Sequence, residues 1–529
     1  MELLIHNSTL KYTKRRFIMT KNYADEFRAD LVEFREITRK FYNKEITVPE
    51  YKSVSGGFGS YAQRGGNEGM LRLRLCGGRI TKDYLSFITD SVEKYNIDLI
   101  HMTTCQSIQL HNLSVDTICT LIEEAWDHGI ITRGGGGDFP RNVMSTPLTG
   151  VMKEEAFPLT PYIEAVGDYL LQFIKAVKLP RKLKVCFSST PDNYPHATFR
   201  DLGFVAKENG TFDVYSAGGL GPRPKLGLLV DENVDPSKVL YYVKAMVDTF
   251  VTYGNYTQRN KARTRFMQES LGEEGYVNAF QEKLREAFAS ESLDLTITPV
   301  EFHKTGDGTI TNPRVVEQKQ EGLYSVFYQP VGGNIVPSVL RELTDAIVSM
   351  EEVEIRLTPT EGMYIINLTA SEAEKILAIT ADHAANLFET SVACVGSNTC
   401  QSGLGDSQGL LSRCVEAVRP YNFKDGVLPR IYISGCPSSC SAHTTATLGF
   451  RGGMKKTDEG MKPAFAMFEN GCDRQGEERF GTDAGVMTVE DIPNFFIDLG
   501  QAITAANSTY AEWIQTNHDE FEAIAAKYI

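Results

Sequence analysis

Between Ser391 and Gly449 four of the chain's ten cysteines stand as two close pairs. Cys394 and Cys400 enclose five residues, Cys436 and Cys440 enclose three, and thirty-five lie between the pairs. Thiolates select soft metals, namely zinc, copper(I) and iron–sulfur clusters. Structural zinc sites most often place two to four residues inside a pair, so the first pair fits zinc less well than a cluster. Isolated cysteines are commonly small buried hydrophobes, but two close pairs are not isolated. Pro437 follows Cys436 directly and suits the first turn of a helix. A helix starting there would bring Cys436 and Cys440 onto one face, with the positive end of its dipole beside the thiolates.

The pattern Cys-x5-Cys followed by Gly-Cys-Pro-x-x-Cys resembles the siroheme-dependent sulfite and nitrite reductases. The resemblance runs from about Gly65 to about Leu499. It implies that Cys394, Cys400, Cys436 and Cys440 hold a four-iron four-sulfur (4Fe-4S) cluster, and that Cys440 also bridges to the siroheme iron. Two departures are visible: Thr447 stands where the family usually has an acidic residue, and Ser438 follows Cys436-Pro437 where asparagine is common.

Four basic side chains would hold the substrate anion, by the same resemblance. Arg72 in MLRLR is the first, with Arg74 as a nearby fallback; Arg141 in PRNV is the second; Lys182 and Lys184 in RKLK are the lysine pair. Arg181 is the implied contact to a siroheme carboxylate. An arginine usual in the TTxQ stretch is replaced by Cys105. Pattern alone is less specific here. Leu71, Leu73 and Leu75 alternate with Arg72 and Arg74, and Leu183 and Val185 with Lys182 and Lys184, which is strand periodicity with one cationic face. Such faces are often simply solvated, and edge lysines discourage aggregation. Asn255–Gln268 reads as a basic helix, and His443, beside a cluster already supplied with four thiolates, reads as an ordinary histidine.

The elements that must position these residues show a duplication. Sliding the chain by 255 residues pairs Met70–Leu113 with Ser325–Leu368 without a gap, with ten identities that include Gly77/Gly332, Gly78/Gly333, Thr89/Thr344 and Asn112/Asn367. Two such units suggest a pseudo-two-fold domain, not a solenoid, which needs three or more. A helix is expected from residue 20, with Phe27, Leu31 and Phe34 on one face; then a glycine-rich loop over Ser53–Gly69, a helical Thr81–Tyr95 and one strand-like run over Asp98–Leu113. Helices are expected again from Asp491. Asp213–Gly227 is a glycine-rich turn without the G-x-G-x-x-G of a nucleotide fingerprint. The fold class implied by the family is α+β with a duplicated pseudo-two-fold architecture: ferredoxin-like half-domains plus two siroheme- and cluster-binding α+β domains. The expected boundaries are 1–55 for an N-terminal extension and helix, 56–135 for the first half-domain, 136–315 for a siroheme and substrate domain, 316–388 for the second half-domain, and 389–529 for a cluster- and siroheme-binding domain.

The chain is 529 residues long, 42% hydrophobic and 23% charged, with a net charge of −14. The acidity argues against nucleic acid as a partner, and no apolar run approaches a membrane span. The opening residues lack the apolar core of a secretory signal, with Met19 as a second candidate start, so a reducing, cytoplasmic setting is expected. The family implies six-electron reduction of sulfite to sulfide, fed by an external donor, either ferredoxin or a separate flavoprotein. Nitrite reduction to ammonia on the same cofactors is the alternative; Lys184, which tends to be asparagine in nitrite-type members, favours sulfite. From another class, a siroheme-free iron–sulfur carrier or redox sensor would need no such cationic residues.

Overall fold

The computed structural model describes residues 23–297 and 302–529. Expectations about residues 1–22, including the alternative start at Met19 and the first residues of the helix, lie outside the described residues. The helix Tyr23–Tyr42 buries Phe27, Leu31 and Phe34 along one face, and Phe34 stacks on Phe58 with ring centroids 4.2 Å apart. The following glycine-rich stretch is more ordered than its composition suggests. Thr47 and Glu50 form a reciprocal capping box at the start of the helix Val48–Ser55, which runs into a tight turn and the strand Ser60–Ala62.

The two repeats share one order of elements. The first contains the strands Gly69–Leu73 and Arg79–Ile80, the helix Lys82–Lys94, and the strands Ile100–Met102 and Ile108–Leu113; the second contains Tyr324–Tyr328, Asn334–Ile335, Pro337–Ser349, Glu354–Leu357 and Met363–Leu368. The run Asp98–Leu113 is thus a hairpin, not one strand, because Gln106 takes a left-handed φ of 52° and the Thr103 N–H closes on the Ser107 carbonyl at 2.9 Å. Glu361, its counterpart 255 residues on, has a φ of 64°.

Each repeat builds a five-stranded sheet, and each sheet borrows its last strand from the other repeat. Arg79–Ile80 pairs with Ile355 and Arg356, and Asn334–Ile335 pairs with Ile100 and His101. Gly78 and Gly333, at φ 72° and 69°, make the turns that send these short strands across. The two helices meet back to back. At their crossing Thr89 and Thr344, also 255 residues apart, share a buried hydroxyl–hydroxyl hydrogen bond of 2.7 Å. A residue touching its own repeat-mate marks the pseudo-two-fold axis.

Each repeat is followed by a module with its own sheet and core. In Met144–Ser145, Val185–Ser188, Leu202–Ala206, Phe212–Ser216 and Leu228–Val234, the first three strands are parallel and the last two antiparallel. Val392–Ala393, Ile431–Ser434, Leu448–Thr457, Gly460–Glu469 and Thr482–Thr488 repeat that pattern. Each repeat grips the first strand of its module through the hairpin turn: Ser145 N–H donates to Gln106 Oε1 at 2.7 Å, and Ala393 N–H to Glu361 Oε2 at 2.8 Å. The C-terminal helices Ile492–Ala505, Tyr510–Trp513 and His518–Ala525 pack on the second module.

Two expected helices do not form. Cys436–Cys440 is a non-helical loop, because Ser439 and Ala442 take φ of 52° and 55°, which a right-handed helix cannot contain. Asn255–Gln268 is mostly irregular, with single tight turns at Arg259–Lys261 and Thr264–Phe266 ahead of the helix Met267–Leu271. The cysteine loop has a counterpart after the second strand of the first module, Val185–Ser188. There Asn193 and His196 take φ of 50° and 62° at the spacing of Ser439 and Ala442.

Gly449 holds the cysteine loop against the sheet: a Cβ there would lie 2.0 Å from the His443 carbonyl oxygen. Gly449→Ala should therefore destabilise the fold by about 1–3 kcal/mol, read as a lower urea midpoint at unchanged m-value. Gly453→Ala, where a Cβ would meet nothing within 4 Å, should shift it by less than about 0.5 kcal/mol.

Candidate active site

The four cysteines and the basic residues from distant parts of the chain line one cleft of about 720 Å³. Cys394, Cys400, Cys436, Cys440, Arg72, Arg74, Arg141, Arg181, Lys182 and Lys184 all reach it. A second concavity of about 450 Å³, around Arg419 and Asp425, contains none of them. The volume falls in the range of small-molecule and cofactor sites.

Each cysteine is held by a different device. Cys394 ends the strand Val392–Ala393; its Sγ accepts from Gly435 N–H at 3.2 Å and its N–H donates to Ser441 Oγ at 3.0 Å. Cys400 sits in a loop clamped by the first repeat, where Arg64 N–H donates to the Thr399 carbonyl at 2.9 Å and Arg64 Nη2 to the Gly403 carbonyl at 2.7 Å. Cys436 and Cys440 lie on the left-handed loop, and Thr104 Oγ1 donates to the Cys440 carbonyl at 2.7 Å. Cys440 is open to the cleft. Burial of this part of the chain, then the neighbouring Cys394, pushes its thiol well up, while Lys182 opposes the shift. A single zinc ion at about 2.3 Å from each sulfur would bring the sulfurs to roughly 3.8 Å of one another. Among the described residues no three cysteine sulfurs lie within 4.8 Å of one another. The donor set therefore fits a multi-iron cluster and not one zinc ion.

The cationic side is built against its own repulsion. Ten lysine and arginine side chains line the cleft, with two carboxyl groups, Asp138 and Glu361. Asp138 is pushed up by burial, but Arg259 and Arg181, at 2.7 Å each, hold it below the usual range. Arg181 is therefore partly satisfied within the protein. Glu361 is pushed up to about 8 by burial and is mostly uncharged at neutral pH. The cleft is thus strongly positive in a chain of net charge −14. Backbone carbonyls place the arginines: Arg72 Nη1 donates to Gly135 at 2.6 Å, Arg141 to Gly135 and Gly137 at 2.9 and 3.2 Å, and Arg74 to Arg141 and Arg133 at 3.1 and 3.3 Å. Arg74 is buried and spent on these carbonyls.

Lys182 and Lys184 flank the bridge residue Leu183 just before the strand Val185–Ser188, and both face the cleft. Burial, then Arg263 and Lys184, drive the Lys182 ammonium well below its usual pKa; burial also lowers Lys184. Asp201, fully buried, accepts from the Lys184 backbone N–H at 2.8 Å and from Arg263 Nη2 at 3.0 and 3.1 Å. The sequence reading missed Arg263, Arg200 and Arg259, all of which line the cleft. Three buried polar atoms of cleft-lining residues, Asn142 Oδ1, Arg263 Nε and Ser439 Oγ, have no protein partner. An arginine-rich cleft with such orphaned atoms fits a polar, multiply anionic ligand. His443 is buried, packs on Phe468 and does not line the cleft.

Fold and cleft together describe a duplicated α+β protein with one positively charged cleft that four cysteines also line. The comparisons narrow the class. The ferredoxin-like half domain of nitrite/sulfite reductases matches residues 61–125, and the nitrite and sulphite reductase 4Fe-4S domain matches residues 136–288. An assimilatory ferredoxin-dependent nitrite reductase of Haloferax mediterranei is 24% identical over 87% of this chain and 84% of its own length. A ferredoxin sulfite reductase of Mycobacterium tuberculosis is 24% identical over 73% and 70%. The solved structure of the M. tuberculosis NirA protein shares the fold at a TM-score of 0.75, with 21% identity over 94% of this chain and 97% of that one. The family models and these relatives align the chain with the nitrite and sulfite reductases, which are oxidoreductases.

Cys105 stands in the cleft with Lys184 Nζ 3.2 Å from its sulfur. Burial alone would raise its pKa, but Lys184, Arg200 and Arg72 together outweigh it and draw the thiol down to about 6. Its alkylation by iodoacetamide, followed by peptide mass mapping, should rise through pH 6 and fall below it as the sulfur protonates. Lys184→Met should move that midpoint upward.

Proposed function

We propose that this chain reduces sulfite to sulfide in six one-electron steps at a siroheme bridged to a 4Fe-4S cluster. In this reading Cys394, Cys400, Cys436 and Cys440 would hold the cluster, Cys440 would also help to hold the siroheme, and Arg181 would contact a siroheme carboxylate. When bound, the two cofactors supply the redox chemistry, and the protein supplies placement and field. The half-domains at 56–135 and 316–388 would be the frame, with siroheme and substrate contacts from 136–315 and the cluster from 389–529. The observation that carries the reading is the convergence of the four cysteines with Arg72, Arg141, Lys182 and Lys184 on one positive cleft.

The residues have separable tasks. Arg72 and Arg141, held by glycine carbonyls, fix the anion and offset its charge. The lysines add a proton-donating role, since an ammonium with a lowered pKa gives up its proton more readily. Sulfite reduction consumes protons as its oxygens leave as water, and two such donors beside the anion match that demand. A siroheme-free electron carrier would need no such cleft.

Nitrite as the substrate remains the second reading, supported by the nitrite reductase names of relatives. Those names also support ferredoxin as the external donor. The ten cysteines are all unpaired, which supports a reducing, cytoplasmic setting. Among the described residues no helix is long and apolar enough to cross a membrane.

Two experiments test the proposal. Cys436→Ser should lose most cluster iron and acid-labile sulfide, and with them the visible bands of siroheme; a full cluster in that protein would remove Cys436 from the ligand set. Lys184→Asn should lower sulfite kcat/KM roughly ten- to a hundredfold, for a charge-assisted contact of about 1.5–3 kcal/mol, and lower nitrite kcat/KM less. Sulfite near neutral pH is partly dianionic, whereas nitrite carries one charge. Equal losses on both anions would leave nitrite as good a reading as sulfite.

A further inference from the structure

The strand Ile108–Leu113 presents two buried polar side chains on the face that looks toward the cleft, Gln109 and His111, both lining it. Neither belongs to the cysteine or cation sets above. They form one end of a directional hydrogen-bond chain, and its direction is fixed by a backbone group. Asn112 N–H donates to Gln63 Oε1 at 2.9 Å, so that end of the Gln63 amide is its oxygen; the nitrogen end donates to Asn112 Oδ1 at 2.8 Å. His111 Nδ1, 3.1 Å from the same Gln63 oxygen, must then be the protonated nitrogen. Burial, then His101 and Arg72, lower the His111 pKa to about 3, so the ring is neutral and Nε2 is left as an acceptor. The Gln109 amide nitrogen donates to Nε2 at 3.2 Å, and this turns its oxygen to the Arg72 guanidinium, 3.2 Å from Nε and in contact with Nη2.

Arg72 has five N–H donors. Gln109 takes Nε–H and one on Nη2, and the Gly135 carbonyl takes one on Nη1. One N–H remains on each terminal nitrogen, and this pair is the fork that grips two oxygens of an anion. We propose that Gln109 and His111 are positioning residues that fix the orientation of Arg72, so that its two remaining donors face the substrate anion. The chain also reaches the cysteine side. Gln63 accepts at its carbonyl from Gln401 Nε2 at 3.4 Å, and the next residue, Arg64, clamps the loop around Cys400. One short segment therefore registers the anion fork against the cluster loop.

The proposal rests on the reading of this cleft as an anion site, and the test separates the two. In holoenzyme, Gln109→Leu should raise the KM for sulfite about tenfold with kcat changed less than threefold, the signature of lost binding shared by ground and transition states. Sulfite titration of the resting enzyme, read from the siroheme bands, should show the same loss of affinity at unchanged cluster iron and siroheme content. His111→Leu should behave like Gln109→Leu. His111→Gln, which keeps a donor toward Gln63 and an acceptor toward Gln109, should recover most of the affinity. In an Arg72→Ala background Gln109→Leu should have no further effect. An Arg72→Ala enzyme with unchanged sulfite affinity overturns the proposal and the anion reading together. Weakened binding in Arg72→Ala beside unchanged binding in Gln109→Leu overturns the proposal alone. So do an additive double variant, a His111→Gln as impaired as His111→Leu, and a Gln109→Leu that loses cofactor while keeping its KM.

Discussion

Like charges held together away from water are the constraint on which this structure depends. Burial, with Arg263 and the other cations around them, drives Lys182, Lys184 and Arg141 below their usual pKa. The protein's answer is to put the compensation behind the cations. Asp201 lies under Lys184 and Arg263, Asp138 under Arg181 and Arg259, and the carbonyls of the run Gly134–Gly137 under Arg72 and Arg141. The front of the cleft stays positive while the back is neutralised. An anion completes the set, and this favours anions over neutral ligands before any specific contact is considered.

The duplication supplies the frame for that arrangement. Two repeats related by an axis through Thr89 and Thr344 each launch a module from the same hairpin turn, one contributing the lysines and the other the cysteines. The left-handed positions of the cysteine loop recur in the first module at Asn193 and His196, where Thr190 and Tyr194 stand at the spacing of Cys436 and Cys440. The backbone device is present twice, and the thiols only once. What differs between the halves is chemistry carried on a shared scaffold.

Much of this was legible in the residues. The 255-residue slide, the Leu/Arg alternation that turns Arg72 inward, and the cysteine spacing all depend on local periodicity or identity, and all three correspond to observed geometry. The failures share a cause. The helix expected after Cys436 rested on Pro437 and could not foresee a left-handed Ser439, since serine does not announce positive φ as glycine does. Arg263 looked like one cation on a solvated helix because its inward path depends on the buried carboxylate of Asp201, sixty-two residues away. Gln109 and His111 carried the same alternation as their leucine neighbours, but polar side chains on a strand signal a water-facing surface until a cleft is known to lie there.

The exchanged strands have a mechanical consequence. Turning one repeat against the other would tear both two-residue ladders and the threonine pair at once, so the junction behaves as a lock and not as a hinge. Enzymes that close a domain over their substrate gain exclusion of water but wait for the lid to reopen. With that motion barred between the repeats, the two modules they launch start from a fixed register, and the cleft between lysines and cysteines is set by the fold before any ligand arrives.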